Sequence, residues 1–275
     1  MSAERSMPTP SEELVTAAAS APRDDADLHL CRAVFYSALA LGFRPPTTET
    51  IERLTGAAST DALADAAGVV EAAWRIRGLA DAARALARPA ADVERLGAAY
   101  LRLFGHTARG EVPAYETEYG DEALFQQPQE LGDLAGFMRA FGLALRPEMH
   151  ERVDHVSCES EFVAFLAAKN AYAIMHDDDD MRAATTRATR LFLRDHLGRF
   201  APTFARRLLR ADPDGLYGGL ARLLMAFVTA DCRHAGVASG ADGLGLRPDP
   251  ATCAAPMGCG TGAEDGGCGT PAGDV

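Results

Sequence analysis

The sequence has little positive charge and few aromatic side chains. Lysine and arginine together account for 27 of 275 residues against 39 aspartates and glutamates, and Lys169 is the single lysine. The net charge of −12 disfavours the phosphate contacts on which nucleic-acid binding depends. An acidic surface instead attracts a basic segment of a partner. The composition therefore predicts no nucleic-acid partner and favours a protein or peptide ligand.

Long hydrophobic runs are also missing. The most apolar stretch, residues 223–230, lies between Arg222 and Asp231 and is far shorter than the roughly 20 residues that span a bilayer. Residues 1–26 contain five acidic side chains and lack the apolar segment of a secretory signal peptide. We therefore expect no membrane insertion and a location in the cytoplasm.

The cysteines show no spacing that is typical of a disulfide framework, which favours a reduced protein. They are Cys31, Cys158, Cys232, Cys253, Cys259 and Cys268. The last three follow the pattern Cys-x5-Cys-x8-Cys, unlike the close pairs of structural zinc sites. They are weak metal candidates, and a metal or redox carrier that uses these tail cysteines is one alternative function.

A catalytic layout is likewise not recognisable. The chain has no nucleophile beside a base and no glycine loop for phosphate. His176-Asp177, with further histidines at 150, 155 and 196, suggests a metal-dependent all-α phosphohydrolase, which needs His and Asp to converge on one metal. That enzyme is the second alternative, although nothing downstream completes its ligand set.

What the sequence does contain is helical periodicity from residue 27 to residue 236. Apolar residues recur at helical spacing, with no alternating strand pattern and no internal repeat. The sequence predicts an all-α domain of roughly eight to ten helices. The predicted helices include residues 27–41, a short one from Thr47 or Thr48, a long one from Ser59 or Thr60 to Leu86, residues 181–197 and residues 202–210.

The two ends differ from this domain in composition. Residues 1–26 are rich in Ala, Ser, Pro and acid, and residues 237–275 hold many glycines and almost no bulky apolar side chains. Such segments cannot bury enough surface to offset their ordering entropy. We therefore expect a disordered amino-terminal segment over 1–26, a helical domain over 27–236 and a disordered tail over 237–275.

Three segments combine aromatic rings with carboxylates or helix breaks. The first runs from Tyr100-x-x-Leu103-Phe104 to Pro113-x-Tyr115-Glu116-x-x-Tyr119, and the second is Asp154-His155-x-x-x-Glu159-x-Glu161-Phe162. The third is Phe192-Leu193-x-x-His196-Leu197-x-x-Phe200-x-Pro202-x-Phe204. In this order they resemble the TorD/DmsD/NarJ family of cytoplasmic chaperones for molybdenum enzymes, over roughly residues 28–235. The amino-terminal extension and the cysteine-bearing tail depart from the family.

The resemblance implies a non-enzymatic function. Such chaperones bind an apo-oxidoreductase, through its twin-arginine signal peptide or another segment, and assist insertion of the molybdenum cofactor before export or assembly. It implies no tightly bound cofactor and at most a transient contact with molybdopterin guanine dinucleotide. Both a monomer and a dimer are compatible with the sequence.

A signal peptide presents arginines followed by an apolar stretch, so its receptor needs carboxylates beside an apolar surface. The resemblance places peptide binding on the aromatic and acidic residues of the first two segments. These candidates are Tyr100, Phe104, Tyr115, Glu116, Tyr119, Asp154, His155, Glu159 and Phe162. We expect Glu116 and Asp154, which lie outside the apolar stripes, to be exposed and to contribute little to stability.

Each candidate also has a structural interpretation. Tyr100 and Phe104 lie on an apolar helical stripe and fit a core. Asp154 fits the start of a helix, with Glu159 near the positive end of the helix dipole. His155 fits either a helix-start histidine or a pH-sensitive contact. Both interpretations are open at the level of sequence.

Overall fold

The computed structural model describes residues 10–87, 92–105, 109–120, 127–146, 151–241 and 244–248, with side chains from Asp25 onward. Within this part of the chain there are ten α-helices, one 3₁₀ turn at Glu116–Glu118 and three isolated β-bridges, but no strand. The all-α prediction is confirmed. The helices are α1 Pro10–Gly42, α2 Thr48–Thr55, α3 Ala57–Trp74, α4 Leu79–Arg84, α5 Val93–Phe104, α6 Gln127–Ala140, α7 Val156–Met175, α8 Asp179–Asp195, α9 Leu197–Ala211 and α10 Leu216–His234.

Helix α1 packs along α7, and α9 packs along α10. Rings from several helices meet between these pairs. The Phe43 ring centroid lies 5.4 Å from that of Phe204, and the Phe35 centroid lies 4.5 Å from that of Phe227. None of the described helices is long and apolar enough to cross a membrane.

Helix α1 begins earlier than the sequence predicted. Its first residue is Pro10 rather than Asp27, so the backbone of residues 10–26 is helical where we expected disorder. Proline suits the first helical position. Ala26 is buried, which places packed residues before the predicted boundary. Residues 1–9 lie outside the described residues.

The long helix predicted up to Leu86 is two helices, α3 and α4. The chain turns at Arg75, with φ of 54°, and at Gly78, with φ of 94°, both in the left-handed region that helices cannot continue through. The Glu71 carboxylate accepts hydrogen bonds from the backbone N–H of Leu79 at 2.6 Å and of Ala80 at 3.2 Å. A side chain of α3 therefore caps α4, which local periodicity did not predict.

The start of α9 shows how residues after α10 are held. The helix begins at Leu197, so Pro202, predicted as its first residue, lies inside it. Proline has no N–H to donate to the carbonyl of Gly198, four residues earlier. That carbonyl instead accepts from the Gly240 N–H at 2.7 Å.

Some residues after position 237, where we expect the disordered tail to start, are held by hydrogen bonds to the rest of the chain. Besides Gly240, residues 244–248 make backbone hydrogen bonds to the loop that contains Glu118 and Gly120. Because both contacts join residues distant in sequence, composition could not reveal them. Cys253, Cys259 and Cys268 lie outside the described residues.

Candidate functional site

The first two motif segments meet in space. The N–H of Glu116 donates to the carbonyl of Asp154 at 2.8 Å, and the N–H of Val156 donates to the carbonyl of Ala114 at 2.8 Å. Tyr115 and His155 form the β-bridge between them. The loop before the 3₁₀ turn is thus fixed to the start of α7, and the candidate residues of both segments form one layer.

Asp154 is buried rather than exposed, which corrects our expectation. Its two oxygens accept from Arg152 Nε at 3.0 Å and Nη2 at 2.8 Å. The hydroxyl of Thr117 donates to the same carboxylate at 2.7 Å. A buried carboxylate is costly to the fold unless it has such hydrogen-bond partners. Asp154 therefore joins the loop of Thr117 to the segment before α7.

Glu116 is also buried, with 2% of its surface exposed. One carboxylate oxygen lies 3.1 Å from Nδ1 of His196, and the other accepts from Nη2 of Arg199 at 3.4 Å. Both partners belong to the third motif segment, at the junction of α8 and α9. Glu116 thus ties the first segment to the third, and our expectation of an exposed side chain is wrong for it too.

His155 begins α7. Its Nδ1 accepts a hydrogen bond from the backbone N–H of Ser157 at 3.2 Å, as an N-cap side chain does. Burial lowers the pKa of His155 to about 4, against the opposing effect of Asp154. The ring is therefore neutral at pH 7, and the helix-start interpretation is confirmed. The N-cap of α7 is thus His155 and not Asp154, for which the sequence suggested this role.

Glu159 is buried one turn into α7. Neither carboxylate oxygen has a hydrogen-bond partner among the described residues. Burial raises the pKa of Glu159 well above its usual value, and the charges of Glu116 and Asp154 raise it further. A carboxyl group in this environment is held in its neutral, protonated form.

Most of the aromatic candidates are core residues. Phe104 and Phe162 are buried, and the buried rings of Tyr100 and Tyr119 donate their hydroxyls to the carbonyls of Phe43 at 3.3 Å and Pro113 at 2.8 Å. Each of these hydroxyls is satisfied inside the protein. The structural interpretation of Tyr100 and Phe104 is therefore confirmed.

Tyr115 is the candidate ring that is partly exposed. Its hydroxyl donates to Glu151 at 3.2 Å, and the Arg152 guanidinium carbon lies 4.6 Å from its ring centroid. Burial raises the pKa of Tyr115 to about 12, and the Glu151 charge adds to the effect. The phenol is thus neutral and faces Glu151 at the surface.

An apolar groove of about 470 Å³ lies next to this layer. Phe162 and Phe165 of α7, Met138 of α6 and Leu143 and Leu145 after α6 form its apolar walls. Charged side chains also line it, namely Arg44, Arg146, Glu151 and Glu161. Glu161 is 62% exposed and pairs with Arg44. We refer to this cavity as the α6–α7 groove, because it lies between α7 and the end of α6 with the residues that follow α6.

Sequence reasoning missed the partners of the buried carboxylates. Arg152 lies only two residues before Asp154 in the sequence. Its contact with the carboxylate is recognisable only once the fold places the Thr117 loop beside both residues. Arg199 and His196 are about 80 residues from Glu116. A lone arginine near a carboxylate motif is a weak signal, and only the fold makes it specific.

The described residues hold no group of three or more His, Cys, Asp and Glu side chains that could bind a metal. His176 ends α7 and lies against Tyr172, with ring centroids 4.1 Å apart. Cys31, Cys158 and Cys232 are free thiols. His150 and the tail cysteines lie outside the described residues.

Comparison with known proteins places the three segments in one family. Residues 65–206 match the family model described as nitrate reductase delta subunit. The chain is 30% identical over 138 residues to the chaperone protein TorD of Vibrio cholerae serotype O1, covering 50% of this chain and 60% of that protein. It is 29% identical over 136 residues to the chaperone protein TorD of Photobacterium profundum, covering 50% and 62%.

The matched part thus spans less than two thirds of the length of these curated relatives. The family-model match over residues 65–206 contains the three motif segments and the α6–α7 groove apart from Arg44 and Pro45. The chain therefore belongs to the nitrate reductase delta subunit family, the TorD/NarJ group that its motifs resemble.

Proposed function

We propose that this chain is a maturation chaperone that binds the apo form of a molybdenum-containing oxidoreductase. The observation that carries the proposal is the family match over residues 65–206, together with relatives that are named chaperones. The proposal assigns binding to the chain and no chemical reaction. It places the encounter in the cytoplasm, before the client is exported or assembled.

The α6–α7 groove is the surface that best suits the client segment. Its walls are apolar, and Glu151 and Glu161 stand among them. A twin-arginine signal peptide combines arginines with an apolar run, so the two surfaces complement each other in charge and hydrophobicity. The proposed ligand is such a peptide, with its apolar run along Phe165 and its arginines beside the carboxylates.

The buried candidate residues then have a positioning role. Asp154 and His155 hold the start of α7, on which Phe162 and Glu161 follow. Glu116 holds the adjoining loop against α9. These residues keep the groove in shape, while Glu151 lines it and Tyr115 stands at the surface beside it. Any contact with molybdopterin guanine dinucleotide is proposed to be transient and made through the client.

A peptide titration tests the proposal. The twin-arginine signal peptide of a molybdenum oxidoreductase from the same organism should bind at micromolar concentration or tighter, about −8 kcal/mol. Replacing its arginines with glutamine, or raising the salt concentration, should weaken binding because charge pairing is screened.

Two alanine variants on α7 locate the site. Phe165→Ala removes a groove wall and should weaken binding at least tenfold. Tyr172→Ala, on the same helix but outside the groove and 53% exposed, should leave it unchanged. Equal affinities for both variants would place the binding surface elsewhere.

A further inference from the structure

Residues 244–248, which we call the C-terminal strap, lie along the loop that carries Glu118 and Gly120. The N–H of Gly120 donates to the carbonyl of Gly245 at 2.9 Å, and the N–H of Arg247 donates to the carbonyl of Glu118 at 2.9 Å. Tyr119 and Leu246 form the antiparallel bridge between these bonds. An extended peptide adds to an exposed backbone edge by this type of pairing.

Arg247 anchors the strap with its side chain. The residue is 3% exposed, and its Nη2 donates to the two oxygens of Glu130 at 2.9 and 3.2 Å. Its backbone carbonyl accepts from Arg109 at 2.7 Å. Buried arginine–carboxylate contacts of this kind give geometric specificity as well as affinity. The strap is thus held by an arginine as well as by backbone pairing.

The loop is shaped around that arginine. Gly120 has φ of 139°, and a Cβ at this position would lie 3.1 Å from Nη2 and 3.3 Å from Nε of Arg247. Only glycine adopts this backbone conformation readily. The absence of a side chain at Gly120 therefore leaves the space that the guanidinium occupies.

A cavity lies next to the strap. An open cavity of about 700 Å³, lined in part by Glu116, Glu130 and Asp133, adjoins the Arg247–Glu130 pair. Its lining also includes Arg194, His196 and Arg199, and it has room for further residues of an extended segment. The strap lies beyond the residues 65–206 that match the family model.

We propose that the edge Glu118–Gly120, with Glu130, is a docking site for an extended arginine-containing segment, and that the C-terminal strap is its internal occupant. Its sequence, Leu-Gly-Leu-Arg-Pro, places apolar and small residues beside an arginine. A client segment of the same chemistry competes with the strap for this site, and this part of the proposal rests on the proposed function. Because a short tether gives an effective concentration on the order of millimolar, a weak external ligand does not displace the strap.

The test uses the full chain and a capped synthetic peptide with the sequence of residues 241–248. Arg247→Glu places a carboxylate against Glu130 and should release the strap while leaving the docking edge intact. The labelled peptide should then bind this variant at least tenfold more tightly than the unaltered chain. Arg190→Glu, the same change at an exposed site on α8, should behave like the unaltered chain. A peptide with its arginine replaced by glutamine should bind neither.

Equal binding to both variants, or none to Arg247→Glu, would overturn the proposal. If that variant does not fold, hydrogen exchange on the unaltered chain decides. Peptide in excess over the effective concentration should speed exchange of the Arg247 amide, while the Gly120 amide stays protected because the peptide replaces its acceptor. Unchanged exchange at Arg247 would overturn the proposal. Neither experiment contains a client protein, so failure here would leave the proposed chaperone function standing.

Discussion

Four candidate side chains of the motif segments are ionisable and buried in one layer, and they are accommodated in different ways. Asp154 and Glu116 have cationic partners, whereas His155 is held neutral and Glu159 protonated by burial. In this layer, carboxylates that have partners therefore lie beside groups that burial keeps neutral. Its stability depends on pH and on each partner.

The ion pair of Asp154 should contribute strongly to stability. Asp154→Ala leaves the Thr117 hydroxyl and N–H without their acceptor and Arg152 without its carboxylate partner, so we expect a loss of about 2–4 kcal/mol in the free energy of unfolding. Glu161→Ala is the matched control, because its ion pair with Arg44 is exposed and contributes less than about 1 kcal/mol. Chemical denaturation of both variants measures the difference. Similar small losses would show that Asp154 and its partners do not hold the loop.

His155 predicts a loss of stability in acid. Its pKa of about 4 in the folded protein lies below the value near 6.5 of an unfolded chain, so the unfolded state binds the proton first. The contribution, about 3 kcal/mol, is present above pH 6.5 and is lost as the pH falls toward 4. His155→Asn keeps a cap oxygen for Ser157 and removes the titration. Unfolding free energies measured between pH 4 and 7 should therefore fall less steeply for the variant than for the unaltered chain.

At the scale of elements, local periodicity predicted the helices and missed what joins them. The helical stripes of α5 and α7 follow from apolar spacing alone. The break between α3 and α4 depends on Glu71 capping a later helix, and the start of α9 depends on Gly240 bonding to Gly198. The burial of Glu116 depends on Arg199, far along the chain. Pairings between distant residues leave no local pattern in one sequence, which is why the motif residues were recognisable but their exposure was not.

Two glycines provide a direct test of the helix boundaries. Gly78, with φ of 94°, begins α4, and alanine there should destabilise the protein by about 1 kcal/mol or more because of left-handed strain. Gly68 lies inside α3, with open space around an added Cβ, so the same substitution should stabilise by roughly 0.5–1 kcal/mol. Thermal unfolding of the two variants should shift in opposite directions. Shifts of the same sign would contradict the boundary between α3 and α4.

At the scale of the whole molecule, α1 packs along α7. Helix α7 carries Glu159 and Phe162 of the second motif segment and also supplies a wall of the α6–α7 groove. The family match covers α7 and α6 but ends before α10 and the strap. The fold class and the family follow from the sequence. The groove does not, because its walls come from α6, the following loop and α7 together.

The central claim is that the α6–α7 groove holds an apo-oxidoreductase while its cofactor is inserted. The direct measurement is the molybdenum content of a client oxidoreductase purified from cells that lack this chain and are supplied with the unaltered protein, Phe165→Ala or Tyr172→Ala. The account predicts a full molybdenum content with the unaltered protein and with Tyr172→Ala, and a several-fold lower content with Phe165→Ala at equal protein levels. A full content with Phe165→Ala, or without the chain at all, would contradict it.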